Sequence, residues 1–440
     1  MARRPEIRTS LPGPEATKIM ETSERYVSKS YTRDYPLVAE RGEGSWIIDI
    51  DGNVFLDMTA GIAVTATGHC HPEVVRVIQD QAAKLLHMSG TDFYYPSQAQ
   101  LAKALCERVP VKGGDARVYF GNSGGEAVEA AIKLARWKTG RPGFIAFLNS
   151  FHGRTMGALS LTASKGIQKE GFGPFLGDVH HSLYPDPYRM GGPEEATDRA
   201  LAHLDHLLAT VAPPKDIAAI VVEPIQGEGG YVIPPDGFLE ALRERCDAHG
   251  MLLVFDEIQA GMGRTGKLWA SEHSGVLPDI VISAKGIASG MPLGATFASD
   301  EVMQWPPGSH ASTFGGNPVS CAAALKTLEL LEEGLIDNAA RVGEHLLGAL
   351  QAAVGDHPKV GDIRGRGLMV GVEMVEDRDT RARAPALRNE VVQACLHHGL
   401  LILGCGKNTV RFCPSLCITE DEASLAAEIF ASVLSKTASA

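Results

Sequence analysis

The chain from residue 217 to residue 257 contains IAAIVVEP (217–224), GFLEALRERCDAHG (237–250) and MLLVFDE (251–257). We interpret these segments as strand, helix and strand, because short apolar runs bounded by turn residues are typical of buried strands. A helical connection of this kind joins parallel strands. The stretch therefore predicts part of a mostly parallel sheet that is covered by helices.

The same alternation continues towards the N-terminus, where EAVEAAIKLARW (126–137) separates the predicted strands ARVYF (116–120) and GFIAFLN (143–149). It continues towards the C-terminus in the short β-branched strand at 280–282. A chain of this length that alternates strands and helices is typical of a large α/β domain with an appended part.

We divide the chain into three parts. GSWIIDIDGNVFLDM (44–58) predicts a hairpin that turns at Asp51-Gly52, within an N-terminal segment (1–71) that supplies part of a small domain. The alternating pattern defines a large domain at 72–316, and mixed helices and short strands define a C-terminal small domain at 317–440. The expected fold class is thus α/β, with a large domain on a mostly parallel sheet and a smaller α+β domain from both termini.

Charge and composition exclude several classes of function. The chain of 440 residues has a formal net charge of -12 at pH 7, whereas nucleic acids and anionic membranes need a basic face. No apolar run approaches the roughly 20 residues of a membrane span, and no apolar export segment follows Arg3 and Arg4. The eight cysteines include no CxxC pair, so we expect no metal site and a reducing, cytoplasmic location.

Several predicted strands end on residues that can do chemistry. One ends on Glu223, the next on Asp256 and Glu257, and DIVIS (279–283) ends just before Lys285. Ligands of open α/β sheets bind beyond the carboxyl ends of the strands, so Asp256 and Lys285 are expected to face one crevice, while strand alternation points Glu257 to the other face. A lysine kept neutral by burial is a nucleophile toward carbonyl carbon, although lysines also end strands without such a role.

A glycine-rich turn before a helix is a candidate anion site. In GNSGGEAVEAAIK (121–133) the free N–H groups and the dipole of the helix would attract a phosphate. The spacing of Ser123 and Glu126 is that of a capping box, so a capped helix without a ligand is the alternative. GMGRTG (261–266) matches GxGxxG but neither follows a first strand nor opens a helix, so we expect a loop there and give little weight to a nicotinamide-dependent oxidoreductase.

Six segments together resemble the class III (subgroup II) pyridoxal-phosphate aminotransferases, which include the ornithine, acetylornithine and 4-aminobutyrate aminotransferases. The segments are NSGGEAVEAAIKLAR (122–136), FHGRT (151–155), VEPIQGEGG (222–230), VFDEIQAGMGRTG (254–266), AKGIASGMPLGA (284–295) and TFGGNP (313–318). The resemblance extends from about Leu37 to the C-terminus. It implies fold type I of the pyridoxal-phosphate enzymes, with pyridoxal 5'-phosphate as the cofactor of the large domain.

The resemblance implies two catalytic residues. Lys285 matches the lysine that bonds to the cofactor aldehyde and, once released, carries the proton of the substrate α-carbon. Asp256 matches the aspartate that keeps the pyridine nitrogen protonated. Phe151 matches the ring that stacks on the cofactor, and Gln259 matches the side chain near the cofactor hydroxyl. The full set implied to bind the cofactor is Ser123, Gly124, Gly125, Phe151, His152, Asp256, Gln259, Lys285 and Thr313.

Four of these positions concern the phosphate, and three of them, Ser123, Gly124 and Gly125, match the phosphate loop of the family. Family members often carry a hydroxyl residue where Gly125 stands, so one phosphate hydrogen bond is missing or comes from water. Thr313 matches a phosphate ligand that comes from the neighbouring subunit. The implied assembly is therefore a homodimer, or a larger homo-oligomer, with shared active sites.

The resemblance also implies residues that bind the substrates. Arg411 matches the arginine that binds an α-carboxylate, and Glu223 matches the glutamate that covers this arginine when the other substrate is bound. Arg154 matches an arginine for a distal carboxylate in the 4-aminobutyrate branch, with a surface or interface ion pair as the alternative. The pocket walls are expected to include Ile62, Tyr94 and Tyr95.

The expected activity is transfer of an amino group from an ω-amino acid or amino acid, such as ornithine or 4-aminobutyrate, to 2-oxoglutarate. The alternative on the same fold is an amino-acid racemase or epimerase, which returns the proton to the α-carbon from the opposite face and needs a second acid there. Glu223 with Arg411 favours transamination, whereas Tyr94, Tyr95 or a water could serve as the second acid.

Overall fold

The computed structural model describes residues 3–438, so residues 1, 2, 439 and 440 of the predicted terminal segments lie outside it. The strands of the described chain are β1 (Ala39–Glu43), β2 (Trp46–Asp49), β3 (Val54–Asp57), β4 (Ala116–Gly121), β5 (Gly143–Phe147), β6 (Val179–Ser182), β7 (Ile217–Val222), β8 (Leu252–Asp256), β9 (Ile280–Ser283), β10 (Gly294–Ser299), β11 (Val360–Arg366), β12 (Met369–Met374), β13 (Leu400–Leu401), β14 (Leu403–Cys405) and β15 (Thr409–Phe412). Its helical elements are α1 (Pro14–Tyr26), α2 (Ala60–Ala63), α3 (Pro72–Lys84), α4 (Pro96–Cys106), α5 (Gly124–Thr139), α6 (Met156–Leu161), α7 (Pro193–Thr210), α8 (Phe238–His249), α9 (Pro318–Leu330), α10 (Ile336–Val354), α11 (Pro385–His397) and α12 (Glu420–Thr437). The element α2 is a single left-handed turn, and the others are α-helices. Within residues 3–438, no helix has the length and apolar character that a membrane crossing requires.

The central sheet has the strand order β4-β10-β9-β8-β7-β5-β6. From β9 to β6 all neighbours are parallel, whereas β10 is antiparallel to both β9 and β4. The predicted mostly parallel sheet is thereby confirmed. Because β7, β8 and β9 are parallel neighbours, their carboxyl ends lie side by side at one edge of the sheet.

Helices cover both faces of this sheet because its central strands are apolar on both sides. Ala219 and Val221 of β7 belong to a core that also contains residues of α5, while Ile220 and Val222 belong to a second core that contains residues of α8. Every residue of β7 and β9 is buried. The alternating side chains of single strands therefore fix the helices on the two faces and hold the strand ends in place.

Both termini contribute to the remaining sheets. β13 pairs in parallel with β3, so the sheet β1-β2-β3-β13 combines strands from the two ends of the chain. The antiparallel sheet β11-β12-β15-β14 packs against α10 and α11. The hairpin prediction is confirmed, since β2 pairs with β3 and Gly52 at the turn has φ +83°. The domain boundaries at 71/72 and 316/317 stay a prediction.

The GxGxxG match at 261–266 forms turns that follow β8, and no helix begins there, in line with the loop that we expected. Arg264 within it is buried, and its Nη1 donates a 3.0 Å hydrogen bond to the carbonyl of Leu368. The segment therefore connects the large sheet to the C-terminal part of the chain and does not form the start of a dinucleotide-binding helix.

Candidate active site

A cavity of about 310 Å³ lies at the carboxyl ends of β7, β8 and β9. The predicted site residues that line it are Ser123, Gly124, Gly125, Phe151, His152, Glu223, Asp256, Gln259 and Lys285. The other predicted site residues do not line this cavity in the part of the chain that the structure describes; they are Ile62, Tyr94, Arg154, Thr313 and Arg411. A larger groove of about 540 Å³ beside Tyr119 and Trp305 contains none of the predicted residues.

Asp256 is buried and is held by a second buried residue, His152. Its Oδ2 lies 2.7 Å from His152 Nδ1, and its Oδ1 accepts a 3.0 Å hydrogen bond from the backbone N–H of Ile258. Burial opposes protonation of His152, but the hydrogen bond and the charge of Asp256 outweigh burial and raise the pKa of His152. The pair presents a carboxylate of fixed orientation to the cavity.

Glu257, the next residue along the chain, does not line the cavity. Its carboxylate accepts hydrogen bonds of 2.8 and 2.7 Å from the backbone N–H groups of Ala270 and Ser271. Burial raises the pKa of Glu257 to about 7, against the lowering effect of these hydrogen bonds. Asp256 and Glu257 thus serve different surroundings, as strand alternation predicts.

Lys285 begins a short 3₁₀ turn (Lys285–Ala288) just after β9. Its φ of +47° lies in the left-handed region, which is unfavourable for a residue other than glycine and is typical of functional sites. Burial lowers the pKa of its ammonium group, and the positive charge of Arg411 lowers it further, although Asp256 opposes both effects. The amine is therefore nearer to its neutral, nucleophilic form than the amine of a surface lysine.

The N-terminus of α5 meets the cavity at Ser123, which is the N-cap residue. Ser123 Oγ accepts a 3.3 Å hydrogen bond from the N–H of Glu126. The second half of the predicted capping box is not formed, because Glu126 Oε2 instead accepts hydrogen bonds of 3.0 and 2.9 Å from the backbone and side-chain N–H groups of Asn122. The helix end is capped, and its first two residues, Gly124 and Gly125, line the cavity.

Glycines at this helix end have different surroundings. A Cβ at Gly124 would lie 2.8 Å from Ile258 Cδ1, so a larger residue there would force the Ile258 side chain to shift. A Cβ at Gly125 would come no closer than 3.4 Å to Thr155, which is ordinary contact. Position 125 therefore has room for a small side chain, and glycine leaves that space beside the helix end empty of protein atoms.

Phe151 and Gln259 complete the wall of the cavity. Gln259 Oε1 accepts a 3.0 Å hydrogen bond from the hydroxyl of Tyr231, which fixes the amide. Arg154 is exposed, and its guanidinium carbon lies 5.6 Å from the ring centre of Phe151. Within residues 3–438 Arg154 forms no surface ion pair and makes this cation–π contact instead, while an ion pair at an interface between subunits stays a prediction.

The expected contact between Glu223 and Arg411 is not formed. Both carboxylate oxygens of Glu223 accept backbone hydrogen bonds, from Phe151 at 3.2 Å and from Gly227 at 3.0 Å. Burial raises the pKa of Glu223 to about 7, and the positive charge of His152 opposes this shift without cancelling it. Arg411 pairs instead with Glu228, whose Oε2 lies 3.0 Å from Arg411 Nη1. The reason is position, since Glu223 directly follows β7 beside the Phe151 backbone, whereas Glu228 lies further along the loop.

Glu228 binds two cations. Its Oε1 accepts a 2.7 Å hydrogen bond from Lys165 Nζ, while its Oε2 pairs with Arg411. Burial opposes ionisation of Glu228, but the two cations outweigh burial and lower its pKa. Arg411 is only 4% exposed, and its Nε has no partner among the described residues. The ion pair thus places a covered cation next to the cavity that contains Lys285.

The predicted pocket-wall residues lie outside the cavity of the single described chain. Ile62 is exposed within the turn at 60–63, in which all four residues have positive φ between 47° and 67°. Tyr94 and Thr313 are exposed. Tyr95 is buried, and its hydroxyl donates a 2.6 Å hydrogen bond to a backbone carbonyl, so its ring packs in the core instead of forming a wall.

Three residues beside the site, Glu228, Lys165 and Tyr231, were not predicted from the sequence. Glu228 lies in IQGEGGY (225–231), where a carboxylate flanked by glycines in a loop after a site strand was an available signal. Tyr231 ends the same segment. Lys165 has no local signal, because its role depends on contact with a loop that is distant in sequence.

Comparison with known proteins assigns the family. Residues 26–434 match the model of the family aminotransferase class-III. The chain is 43% identical to an acetylornithine aminotransferase of Methanopyrus kandleri, over 91% of this chain and 95% of that protein. It is 38% identical to the 4-aminobutyrate aminotransferase GabT of Escherichia coli, over 92% and 94% of the two chains. It is also 37% identical to an alanine/serine racemase of Pyrococcus horikoshii, over 98% and 93%.

A solved structure of a related enzyme supports the same family assignment. An amine transaminase from an uncultivated Pseudomonas species, in the PLP-bound form, is 34% identical and superposes with a TM-score of 0.86 over 93% of this chain and 98% of that chain. Enzymes of this kind depend on pyridoxal 5'-phosphate (PLP) and use an amino donor and an oxo-acid acceptor. The family resemblance and fold type predicted from the motifs are confirmed: the chain belongs to the PLP-dependent class III aminotransferases.

Proposed function

We propose that this chain transfers the amino group of an ω-amino acid, of the ornithine or 4-aminobutyrate type, to 2-oxoglutarate. The observation that supports this proposal is the ion pair between Arg411 and Glu228. A transaminase site must accept two different substrates in turn. An arginine with a removable carboxylate cover binds a substrate carboxylate when uncovered and tolerates a substrate end without one when covered.

The residues of the cavity suit PLP. The N-terminus of α5, with Gly124 and Gly125, offers backbone N–H groups to a phosphate. Asp256 offers a carboxylate to a protonated ring nitrogen, Phe151 offers an aromatic face, and Lys285 offers an amine of lowered pKa to an aldehyde. We propose that these residues hold the cofactor together with Ser123, His152 and Gln259.

The chain's own groups then have distinct tasks. When bound, the cofactor supplies an aldehyde and an electron-withdrawing ring. Lys285 would take the proton from the substrate carbon that bears the amino group and deliver it to the cofactor carbon that carried the aldehyde, because burial shifts its amine toward neutrality. Asp256 holds a proton on the heterocyclic nitrogen, and the 2.7 Å contact with His152 prevents the carboxylate from turning away. Burial of both side chains excludes water that would weaken this interaction.

We further propose a homodimer with shared active sites, in which Thr313 serves the cofactor phosphate of the partner. Thr313 is exposed and does not line the cavity of its own described chain. Phe314 beside it is exposed, its ring centre lies 5.0 Å from that of His87, and the exposed Leu86 is the neighbour of His87 in the chain. Such a cluster of exposed apolar side chains favours a protein interface.

We also propose a cytoplasmic location, which the free state of the cysteines supports.

Racemisation is the competing activity, because the chain also resembles an alanine/serine racemase. It requires a second acid that faces the substrate opposite Lys285. The carboxylate of Glu223 is occupied by two backbone N–H groups, and neither Tyr94 nor Tyr95 lines the described cavity. These contacts favour transamination.

The test is a substrate panel on the purified holoenzyme. Ornithine, 4-aminobutyrate and 5-aminovalerate are each incubated with 2-oxoglutarate, and glutamate formation is measured. In parallel, each enantiomer of alanine and serine is incubated without any oxo acid, and its inversion is followed by chiral chromatography. The Lys285→Ala variant is the inactive control for both assays. We expect glutamate formation from at least one ω-amine to exceed inversion. Inversion that is faster than every amino transfer would establish the racemase instead.

A further inference from the structure

We propose that Lys165 is a specificity-determining residue, which holds the carboxylate of Glu228 when that carboxylate leaves Arg411 to a substrate carboxylate. This inference rests on the proposed function, in which Arg411 receives the carboxylate of the oxo acid. Glu228 lies between the two cations, with Oε1 2.7 Å from Lys165 Nζ and Oε2 3.0 Å from Arg411 Nη1. One carboxylate therefore already touches both of the partners between which it would exchange.

The backbone around Glu228 is fixed, so the exchange requires only side-chain rotation. The carbonyl of Glu228 accepts a 2.7 Å hydrogen bond from Gly406 N, and the carbonyl of Gly230 accepts a 2.6 Å hydrogen bond from Arg364 Nη2. Arg364 is itself held by a 2.7 Å ion pair with Glu373. A carboxylate on a fixed backbone reaches alternative partners by changing rotamer.

The segment that carries Lys165 is fixed as well. Ala163 N donates a 2.9 Å hydrogen bond to Ser150 O, and Asn149 N donates a 3.2 Å hydrogen bond to Ala163 O. These bonds hold the segment against the chain just after β5. The Lys165 amine is therefore kept near the Glu228 loop while its long side chain remains adjustable.

The three side chains differ in depth. The Lys165 side chain is 43% exposed, that of Glu228 is 16% exposed and that of Arg411 is 5% exposed. Movement of the carboxylate toward Lys165 is thus movement toward solvent, and it uncovers the deeper cation beside Lys285. An outward displacement of this kind opens the arginine to a ligand in the cavity.

Charge balance gives Lys165 its role. In the resting cluster two cations share one carboxylate. A substrate carboxylate on Arg411 completes a second ion pair, provided that Lys165 retains Glu228. Without Lys165, two carboxylates would share one cation, which is unfavourable for partly buried groups. Lys165 therefore favours binding of the carboxylate substrate and is not needed when Glu228 covers Arg411.

The test measures binding of glutarate, a dicarboxylate without an oxo group, to the holoenzyme by titration calorimetry. Lys165→Met keeps the apolar stem and removes the charge, so we expect its Kd for glutarate to rise about tenfold, whereas Lys165→Arg should stay within about twofold of the wild type. The matched control is Lys138→Met, because Lys138 pairs at 3.2 Å with Glu301 on the surface and does not line the cavity. Its Kd should be unchanged.

A double-mutant cycle separates this role from a general surface charge. In a Glu228→Gln background no carboxylate needs to be held, so Lys165→Met should change the Kd for glutarate by less than about twofold. An equal loss in both backgrounds, an unchanged Kd in Lys165→Met, or no glutarate binding by the wild type would each overturn the proposal. Because glutarate binding needs no turnover, failure of ω-amine transfer in the substrate panel would overturn the proposed function without affecting this result.

Discussion

The two sides of the cavity are built in different ways. On the cofactor side, Asp256 and Lys285 stand at the ends of neighbouring buried strands, and their places follow from the sheet. On the substrate side, Arg411 and Glu228 are 183 positions apart and meet only because the C-terminal sheet packs against a loop of the large sheet. The chemistry common to a family can therefore rest on topology, while substrate choice rests on tertiary contacts that change without disturbing the core.

The largest effect is expected from Lys285→Ala, which removes the amine of the cofactor side. Turnover should fall at least about 1,000-fold, because the covalent and proton-transfer roles are lost together. The measurement is single-turnover absorbance, and thermal unfolding shows whether the variant is folded. Borohydride treatment of the wild type should attach the cofactor covalently to Lys285. The exposed Lys267→Ala is the control. Near-normal turnover in Lys285→Ala would show that the cofactor side is misassigned.

A smaller loss is expected from Asp256→Asn, which keeps the shape of the side chain and removes its charge. The rate of proton removal from the amine-bearing carbon of the donor should fall by about 100-fold while the cofactor still binds, more weakly, because the ring nitrogen loses its anionic partner. Glu257→Gln is the matched comparison, since Glu257 is the adjacent carboxylate but does not line the cavity. Rates are compared per cofactor-loaded subunit in stopped-flow experiments. Equal losses in the two variants would mean that Asp256 is structural.

The same contrast explains which parts were predictable from sequence. Asp256 and Lys285 follow short apolar runs, so local periodicity places both at one sheet edge. The pairing of Arg411 with Glu228 was not predicted because Glu223 and Glu228 lie in one motif, and only the fold shows that backbone N–H groups occupy Glu223. The left-handed turn at 60–63 was missed, since a single glycine in AGIA gives no sign that four residues adopt positive φ.

Substrate discrimination should change about tenfold in Glu228→Gln and remain unchanged in Glu223→Gln. Removal of the cover exposes Arg411 permanently, so KM for the ω-amine should rise while KM for 2-oxoglutarate stays or falls. The two half-reactions are measured separately, so the ratio of their specificity constants gives the discrimination. A larger change of this ratio in Glu223→Gln would restore the pairing first expected from the motif.

The assembly of the dimer is tested by recovery of activity in mixed subunits, which should reach about one quarter of the wild-type value. If Thr313 serves the partner's phosphate, mixing inactive Lys285→Ala chains with inactive Thr313→Ala chains should restore roughly a quarter of wild-type activity, because half of the dimers are hybrids and each hybrid has one intact site. Mass spectrometry under native conditions establishes that the subunits have exchanged. Exchange without any recovered activity would place Thr313 outside the shared site.

The smallest expected effect concerns Glu223, which joins the two sides through the backbone of Phe151 and of Gly227. Burial raises its pKa to about 7 in the folded chain from 4.5, so between these pH values the folded state keeps a proton that the unfolded state has lost. Its contribution to stability therefore decreases as pH rises from about 4.5 to about 7 and is constant above. Glu223→Gln lacks this proton, so the Tm of the wild type minus that of the variant should fall by roughly 3 °C from pH 5 to pH 8. Scanning calorimetry of both proteins at equal cofactor loading measures this difference in Tm. A difference that is independent of pH would mean that Glu223 is ionised throughout. In that case the charge of Glu223 holds the loop between the two sides.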